Sequence, residues 1–350
     1  MSESEIIQHV KSDITYFSGN HYDFGLYQSE WIKQTLMMKN RERDWRIRRP
    51  RFDIDVEATK AAYNQFAPYI WDELMGLQDG LKMDLHNVLL NFGHYRVYQK
   101  PSGCSVFTTE DYLVRNYDYH PSTYDGRITY FEPTDGGIPT LAPVSRITGR
   151  MDGINLQGLA MGYNFMHRKV PGDGFVCFMI GRLILETCDS VEMAVDLLKE
   201  IPHRASFSYI LLDKSGVTKI VEATPRDVIV RDHHYCTNHF EVLTHENRRY
   251  LEESQSRMHH LTNQVNDTLT LDEAFHIMNH PDKGIFCDNY ASWSGTIHTT
   301  AYEPKKLAMH ITLGQGKRYT LSLKDFHQGK LPEFTAIEGT LRTQLTFASE

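Results

Sequence analysis

The chain has 350 residues, of which 41% are hydrophobic and 23% charged, a balance that is ordinary for a globular protein. Its net charge of -8 argues against a nucleic-acid partner, because binding to phosphates favours the opposite sign. No run approaches about 18 consecutive apolar residues, so no membrane span is expected, and the acidic first residues do not resemble a secretion signal.

Five cysteines are widely spaced along the chain and include no CxxC pair, which argues against a zinc ribbon. They are Cys104, Cys177, Cys188, Cys236 and Cys287. We expect free thiols in a reducing, cytoplasmic compartment. The adjacent histidine pairs point apart on a helix or a strand, and no HExxH motif occurs. Neither a metal nor another cofactor is therefore predicted.

The first hundred residues are predicted to be mostly helical. A short β-like run at residues 16–17 ends in a turn signal, and a helix follows through Trp31. Residues 56–76 have the apolar spacing of a second helix, and Asp84 is suited to cap a third, short one. The arginine-rich residues 39–52 are interpreted as a solvated helix end and loop.

The pattern changes at Cys104, after which short strands dominate. Two helices are predicted next, one at residues 175–186 and one beginning at Asp189, with Glu192 completing a capping box. The later predicted elements are a hairpin, two short strands, a capped helix and a second hairpin, at residues 209–221, 228–238, 270–279 and 296–313. Two sheets with helices packed outside them would bury the apolar faces of this order of elements.

The residues Gly103 and Cys104 open an apolar strand and suggest a specific chemistry. A thiol attacks as its thiolate, and an ordinary cysteine has a pKa of about 8.5. If the chain is cut before Cys104, the new α-amine has a pKa of about 7.7 and can take the proton of the thiol. The sequence thus suggests an N-terminal nucleophile that must first cleave its own chain.

A second strand supplies two charged candidates for this site. Asp118 is the candidate to orient the amine, and Arg115 is the candidate cation that favours the thiolate. Residues three apart face opposite sides of a strand, so both reach the site only if the strand twists or bulges, or if one side chain loops round. Asn238 ends a later β-like run and could donate to the oxyanion of a tetrahedral intermediate, or could instead make a local turn hydrogen bond.

These motifs resemble the acyl-coenzyme A:isopenicillin N acyltransferase family, and more distantly the bile-salt hydrolases and penicillin V acylases. The similar segments appear in family order at residues 22–25, 103–104, 116–119, 153–160, 162–165, 236–240 and 254–257. Arg115 is like the hydrolase branch, whereas the chain length and the long segment before the cysteine are like the acyltransferase branch.

The resemblance implies an α+β fold of the N-terminal-nucleophile hydrolase type. In this four-layer αββα fold, two stacked, mainly antiparallel sheets lie between outer helices. Residues 1–103 would form a mostly helical small subunit that stays bound after self-cleavage, and residues 104–350 would form the catalytic domain.

The resemblance also implies roles for individual residues. Cleavage would fall between Gly103 and Cys104. The oxyanion would be held by Asn238 and by a backbone N–H of the segment that contains Asn164, and Arg257 would support the site.

We therefore expect an amidohydrolase or acyltransferase that forms a thioester at Cys104. The acyl group would come from a small N-acyl amide or an acyl thioester such as acyl-coenzyme A; water as acceptor gives hydrolysis, and an amine gives transfer. Two alternatives stay open, a thiol hydrolase that pairs Cys104 with a histidine such as His239 and needs no self-processing, and a catalytically silent binding protein. The expected partners are the substrate, the protein's own N-terminal fragment and a possible second copy.

Overall fold

The computed structural model describes residues 7–47, 53–97, 103–166, 171–266 and 268–350. Within these ranges no helix is both long and apolar enough to cross a lipid bilayer. The helices are α1 (His21–Lys33), α2 (Met37–Ile47), α3 (Val56–Phe66), α4 (Pro68–Leu81), α5 (Leu85–Val88), α6 (Cys177–Thr187), α7 (Val191–Glu200), α8 (Glu252–Gln264), α9 (Leu271–Asn279) and α10 (Leu323–His327).

The strands of the same ranges form two sheets. They are β1 (Gln8–Gly19), β2 (Gly103–Thr108), β3 (Leu113–Tyr119), β4 (Arg127–Pro133), β5 (Thr140–Ser145), β6 (Gly149–Arg150), β7 (Asp152–Asn155), β8 (Leu159–Phe165), β9 (Phe207–Asp213), β10 (Thr218–Ala223), β11 (Val228–Arg231), β12 (Tyr235–Cys236), β13 (Asp288–Asn289), β14 (Ser294–Glu303), β15 (Ala308–Leu313), β16 (Tyr319–Ser322) and β17 (Ala336–Leu341).

The large sheet has the strand order β11-β10-β9-β8-β7-β5-β4-β1-β17, with β6 paired to β5. The small sheet has the order β12-β2-β3-β14-β15-β16, with β13 paired to β14. Neighbouring strands are antiparallel, except that β1 and β4 run parallel.

Three apolar clusters separate the layers. One lies between α3, α4, α6 and α7 and the outer face of the large sheet. A second fills the space between the two sheets, with Val106, Tyr117, Ile154, Ile210 and Met309 among its members. A third packs α8 and α9 against the outer face of the small sheet. The four-layer αββα arrangement of two mainly antiparallel sheets between helices is therefore confirmed.

The N-terminal segment contributes more than helices to this fold. Instead of a short run at residues 16–17, it forms the twelve-residue strand β1, which pairs with β4 on one side and β17 on the other. The sequence of β1 is largely polar, and the strand is held by ladder hydrogen bonds to two neighbours. Hydrophobic alternation, the usual sequence signal of a strand, is therefore weak here.

Two predicted helix boundaries were wrong. Residues 56–76 do not form one helix, because α3 ends before Pro68, which disfavours a helical residue in front of it and starts α4. The cap of α7 is Ser190 rather than Asp189, and its hydroxyl accepts a hydrogen bond from the backbone of Met193.

Other predictions were confirmed. Asp84 caps α5, and Thr270 caps α9 in a capping box with Glu273. Both hairpins form, as β9–β10 and β14–β15. Residues 39–47 of the arginine-rich stretch, interpreted as a helix end and loop, instead lie within α2, and residues 48–52 lie outside the described residues. Helix α8, which carries Arg257, was not predicted as a helix.

Candidate active site

Cys104 lies on β2 of the small sheet, where it pairs with Tyr117 of β3, and β2 is the second strand from the edge that β12 forms. Its thiol belongs to the apolar cluster between the sheets and is 1% exposed. The chain is continuous through Gly103, so the nitrogen of Cys104 is a peptide N–H, and it donates to Asn238 Oδ1 at 2.7 Å.

Arg115 contacts this thiol from β3. Its Nη2 donates to Cys104 Sγ at 3.3 Å and to the carbonyl of Tyr163 at 2.5 Å, while its Nη1 donates to Asp152 Oδ2 at 2.6 Å. The guanidinium is fully buried. A cation in contact with the sulfur stabilises the thiolate.

Asp118 approaches from the other face of the same strand. Its backbone lies opposite Gly103, and Oδ1 accepts a hydrogen bond from the Thr296 hydroxyl at 2.7 Å. Its Oδ2 is buried and has no hydrogen-bond partner among the described residues. A Cβ placed at Gly103 would lie 3.5 Å from this oxygen. Arg115 and Asp118 thus reach Cys104 from opposite faces, one at the thiol and the other at the backbone.

A β-bulge in β14 fits this arrangement. Thr296 is opposite Asp118 and His298 is opposite Tyr117, so β14 has one residue more than β3 at this point. Two residues that are two apart normally face the same way, and the inserted Ile297 turns them to opposite faces. Thr296 consequently bonds Asp118, whereas His298 points into the space between the sheets and bonds Asp152.

Arg257 of α8 links several groups of the site. Its Nη1 donates to the carbonyl of Cys104 at 2.5 Å and to the Ser105 hydroxyl at 2.7 Å, and its Nη2 donates to Asn238 Oδ1 at 2.8 Å. One turn earlier on the same helix face, Ser254 accepts the backbone N–H of Asn238 at 2.8 Å. Helix α8 therefore fixes Asn238 through both its backbone and its side chain.

The two asparagines of the predicted site have different surroundings. Asn238 Nδ2 donates to the carbonyl of Phe165 at 2.9 Å. Asn164 Nδ2 donates to the carbonyls of Cys236 and Thr237 at 3.0 and 3.2 Å, which ties β8 of the large sheet to the segment that holds Asn238. The side chain of Asn164 is thus a link between sheets, and the oxyanion role of its segment stays a prediction.

The histidine alternative finds no support in the geometry. His239 Nδ1 lies 2.9 Å from the Ser254 hydroxyl and 3.1 Å from the Thr237 hydroxyl, and within the described ranges it makes no hydrogen bond to Cys104. The same ranges contain no group of three or more metal-ligating side chains that could hold an ion.

Burial raises the pKa values of two groups at the site while the chain is uncut before Cys104. It raises the pKa of the Cys104 thiol to about 11, against the opposing effect of Arg115. The thiol is therefore protonated at neutral pH while Cys104 has no α-amine beside it. Burial also raises the pKa of Asp118 to about 6, although Arg257 and the hydrogen bond from Thr296 lower it.

The raised pKa of Asp118 predicts a pH-dependent stability. In the unfolded chain this carboxyl ionises near its ordinary pKa of 3.8, but in the folded chain it does so only near 6. Between these values the folded state binds the extra proton, so stability falls as the pH rises, by about 3 kcal/mol in all. Asp118→Asn should remove this loss.

Thermal unfolding of the uncut Cys104→Ala chain, with and without Asp118→Asn, measures the effect. The advantage of the asparagine variant should grow between pH 4 and pH 7. A constant difference across that range would show that Asp118 is not the group responsible.

Three residues of this site were missed in the sequence: Asp152, Thr296 and His298. Asp152 directly precedes the glycine of the 153–160 motif, which was a usable signal. Thr296 and His298 lie in a predicted hairpin. The bulge between them could not be predicted, because no local sequence signal indicates it.

Some solved structures are similar to this chain at low identity. Penicillin V acylase from Agrobacterium tumefaciens is 13% identical over 63% of this chain and 86% of its own, with a TM-score of 0.44. A variant of conjugated bile acid hydrolase from Clostridium perfringens is 12% identical over 70% and 98%, with a TM-score of 0.46. An N-acylethanolamine-hydrolyzing acid amidase ortholog from Caenorhabditis elegans is 11% identical over 58% and 93%, with a TM-score of 0.41.

A comparison with curated protein sequences gave no match. The model of the acyl-coenzyme A:6-aminopenicillanic acid acyl-transferase family, in contrast, matches residues 106–318, which is more than half of the chain. The match begins just after Cys104 and spans the other predicted site residues from Arg115 to Arg257. The predicted family, and with it the prediction of an enzyme, is confirmed: the chain belongs to the acyl-coenzyme A:6-aminopenicillanic acid acyl-transferase family.

Proposed function

We propose that this chain is a self-processing N-terminal-cysteine enzyme that cleaves or transfers the acyl group of an N-acyl amide or an acyl thioester. The observation that carries the proposal is the contact of Arg115 Nη2 with Cys104 Sγ at 3.3 Å. The backbone of the same cysteine is bonded by Asn238 and Arg257 and lies next to Asp118. Charged and amide groups thus converge on a thiol near the start of a strand, as an N-terminal nucleophile requires.

Self-cleavage comes first. The Cys104 sulfur attacks the carbonyl carbon of Gly103, which has no side chain to block the approach. The C–N bond breaks as the nitrogen takes up a proton, which leaves a thioester to Gly103. Water then hydrolyses the thioester, so that Gly103 ends in a carboxylate and Cys104 has both a free thiol and an α-amine.

Each turnover then uses the new amine. It takes the proton of the thiol, and the thiolate attacks the acyl carbonyl of the substrate to form a tetrahedral oxyanion. We assign Asn238 Nδ2 and a backbone N–H of the segment around Asn164 to this oxyanion. The ammonium returns its proton to the leaving amine, and water or an acceptor amine releases the acyl group from the thioester.

Asp118 is suited to orient the amine once the bond is cut. Its unpartnered Oδ2 lies beside the position of Gly103, which the new chain start leaves open. An ammonium formed there would give this buried carboxylate the partner that it lacks in the continuous chain, and would favour its ionised form.

Residues 1–103 are proposed to remain as a bound small subunit, because β1 lies within the large sheet. The cytoplasm remains the expected compartment, and the five free cysteines of the structure support it.

Acyl-enzyme trapping tests this proposal. The purified protein is mixed with N-acyl anilides and acyl thioesters of varied acyl length, quenched in acid and weighed by intact-mass spectrometry. We expect the fragment that begins at Cys104 to gain the acyl mass and to lose it in neutral hydroxylamine, which cleaves thioesters readily. An adduct on another residue, or one that resists hydroxylamine, would contradict a Cys104 thioester. Adding a primary amine and measuring the acylated product separates transfer from hydrolysis.

A further inference from the structure

A buried carboxylate, that of Asp152, lies directly behind Arg115. Its Oδ2 accepts hydrogen bonds from Arg115 Nη1 at 2.6 Å, His298 Nε2 at 3.1 Å and the Thr300 hydroxyl at 3.4 Å. Its Oδ1 accepts the Tyr302 hydroxyl at 2.6 Å. All five side chains have 0% exposure, so water does not compete for these contacts. A carboxylate accepts at about four positions, and here donors from two strands, β3 and β14, set its orientation.

On the basis of the proposed function, we propose that Tyr302 and His298 are positioning residues that hold Asp152 so that it fixes Arg115 against the thiol of Cys104. Within the described ranges they make no hydrogen bond to the Cys104 sulfur, and they act on Arg115 through Asp152.

Asp152 is held as a carboxylate. Burial by itself would raise its pKa, but His298 and Arg115 outweigh burial and lower the pKa well below its usual range. It therefore keeps its negative charge and its attraction for Arg115 across the neutral pH range.

His298 is itself held on two sides. Its Nδ1 lies 2.9 Å from the Tyr124 hydroxyl, and its ring stacks on Tyr117 with centroids 5.0 Å apart. Burial lowers the pKa of His298, with Asp152 opposing, which favours the neutral ring. In the tautomer that satisfies both contacts, Nε2 carries the hydrogen and donates to Asp152, and Nδ1 accepts from Tyr124.

The β-bulge in β14 determines which side chains of this strand can contact Asp152. The bulge at Ile297 places His298, Thr300 and Tyr302 on the face that looks at Asp152, and leaves Thr296 on the face that looks at Asp118. A single strand thereby supports the cation at the thiol and the carboxylate at the future amine.

Arg115 depends on this support because Asp152 is the charged group that it bonds, while the ring centroids of Tyr117 and Tyr163 lie 4.9 and 5.2 Å from its guanidinium carbon. Nη1 bonds Asp152, Nη2 bonds the Tyr163 carbonyl and Cys104 Sγ, and Nε has no hydrogen-bond partner among the described residues. Removing the Tyr302 hydroxyl leaves Asp152 Oδ1 without its donor and frees the carboxylate to turn. Small misplacements of catalytic groups cost up to about 10²-fold in rate, and we expect about tenfold for this indirect contact.

Tyr302→Phe tests the proposal, and Tyr63→Phe is the matched control. Tyr63 is also fully buried, and its hydroxyl donates one hydrogen bond of 2.6 Å. The acceptor is the carbonyl of Gly93, at the end of the helical turn Leu89–Gly93. The first readout is the rate at which iodoacetamide alkylates Cys104 in the cut protein at pH 7, which requires no substrate. The second is kcat and KM for whichever substrate the acyl-enzyme screen identifies, and the third is the thermal midpoint.

We expect Tyr302→Phe to lower both alkylation and kcat about tenfold while KM changes less than about threefold. Tyr63→Phe should lower the thermal midpoint to a similar degree and leave alkylation and kcat unchanged. His298→Gln, which retains an amide donor near the position of Nε2, should keep more of both rates than His298→Leu. Slower self-cleavage in Tyr302→Phe but not in Tyr63→Phe would also support the proposal, because the same thiol makes the cut.

Unchanged alkylation and kcat in Tyr302→Phe would overturn the positioning role, as would equal losses in Tyr63→Phe. Failure of the proposed function would be seen in a different measurement, the acyl-enzyme trapping experiment. If no acyl amide or thioester reacts, the alkylation comparison still reports whether Tyr302 acts on the thiol.

Discussion

Replacing Cys104 with alanine should leave the chain in one piece and without activity. The wild-type chain should appear as two pieces, residues 1–103 and 104–350, because the Cys104 thiol is the nucleophile that we propose attacks the carbonyl of Gly103. The variant lacks both the nucleophile and the α-amine that activates it. Loss of a nucleophile removes the whole covalent route, so turnover should fall by at least about 10⁴-fold.

Intact-mass spectrometry under denaturing conditions, on protein purified without added protease, measures the cut. Cys188→Ala is the matched control, because Cys188 is also 1% exposed but lies in the outer cluster of helices and the large sheet. It should be cut and should turn over substrate normally. Cleavage of the Cys104→Ala chain at the same bond, or full activity in a wild-type chain that stays whole, would rule out the mechanism.

Asn238→Ala is expected to have the second largest effect. A donor to the oxyanion acts on the transition state, so kcat should fall about 10²–10³-fold with little change in KM. The side-chain amide of Asn238 is held by hydrogen bonds to Arg257 and the Phe165 carbonyl, and its backbone N–H is held by Ser254. The alanine variant also loses the acceptor for the nitrogen of Cys104.

The measurement must separate turnover from self-cleavage, so kcat is normalised to the cut fraction seen by mass spectrometry. Asn279→Ala is a suitable control. The Asn279 side-chain amide lies at the end of α9 and donates two hydrogen bonds, to the Thr299 hydroxyl and the Gly314 carbonyl. It should lose stability and keep its kcat. A cut, folded Asn238→Ala protein with normal kcat would assign this asparagine to structure alone.

Local signals in the sequence predicted the residues nearest to the thiol. Gly103, Cys104, Arg115 and Asp118 come from two strands that are neighbours in both sequence and sheet, so their spacing already implied proximity. Asn238 was proposed from its place at the end of a β-like run and again from the family resemblance, and Arg257 from the resemblance alone. The structure brings all of these residues together, and their catalytic roles remain predictions.

The support behind the site could not be predicted in the same way. Asp152 and His298 are 146 positions apart in the sequence, and their contact depends on the stacking of two sheets. The bulge at Ile297 determines which face of the sheet His298 occupies. The residues around Ile297 carry no sequence signal that predicts a bulge there. Most of strand β1 was not predicted, for a related reason. Its pairing with β4 and β17, rather than an apolar pattern in its sequence, makes it a strand.

Strand β1 would also change the thermodynamics of the protein if the chain is cut as we propose. Before the cut, β1 and its neighbours β4 and β17 belong to one chain, and folding is a unimolecular event. After the cut, β1 belongs to one chain and both neighbours to another, so that unfolding becomes dissociation and stability depends on protein concentration. A denatured sample of the processed enzyme must reassemble by collision of two chains, whereas the newly made polypeptide had only to fold upon itself. The proposed self-cleavage would then be an irreversible step that follows the completion of folding.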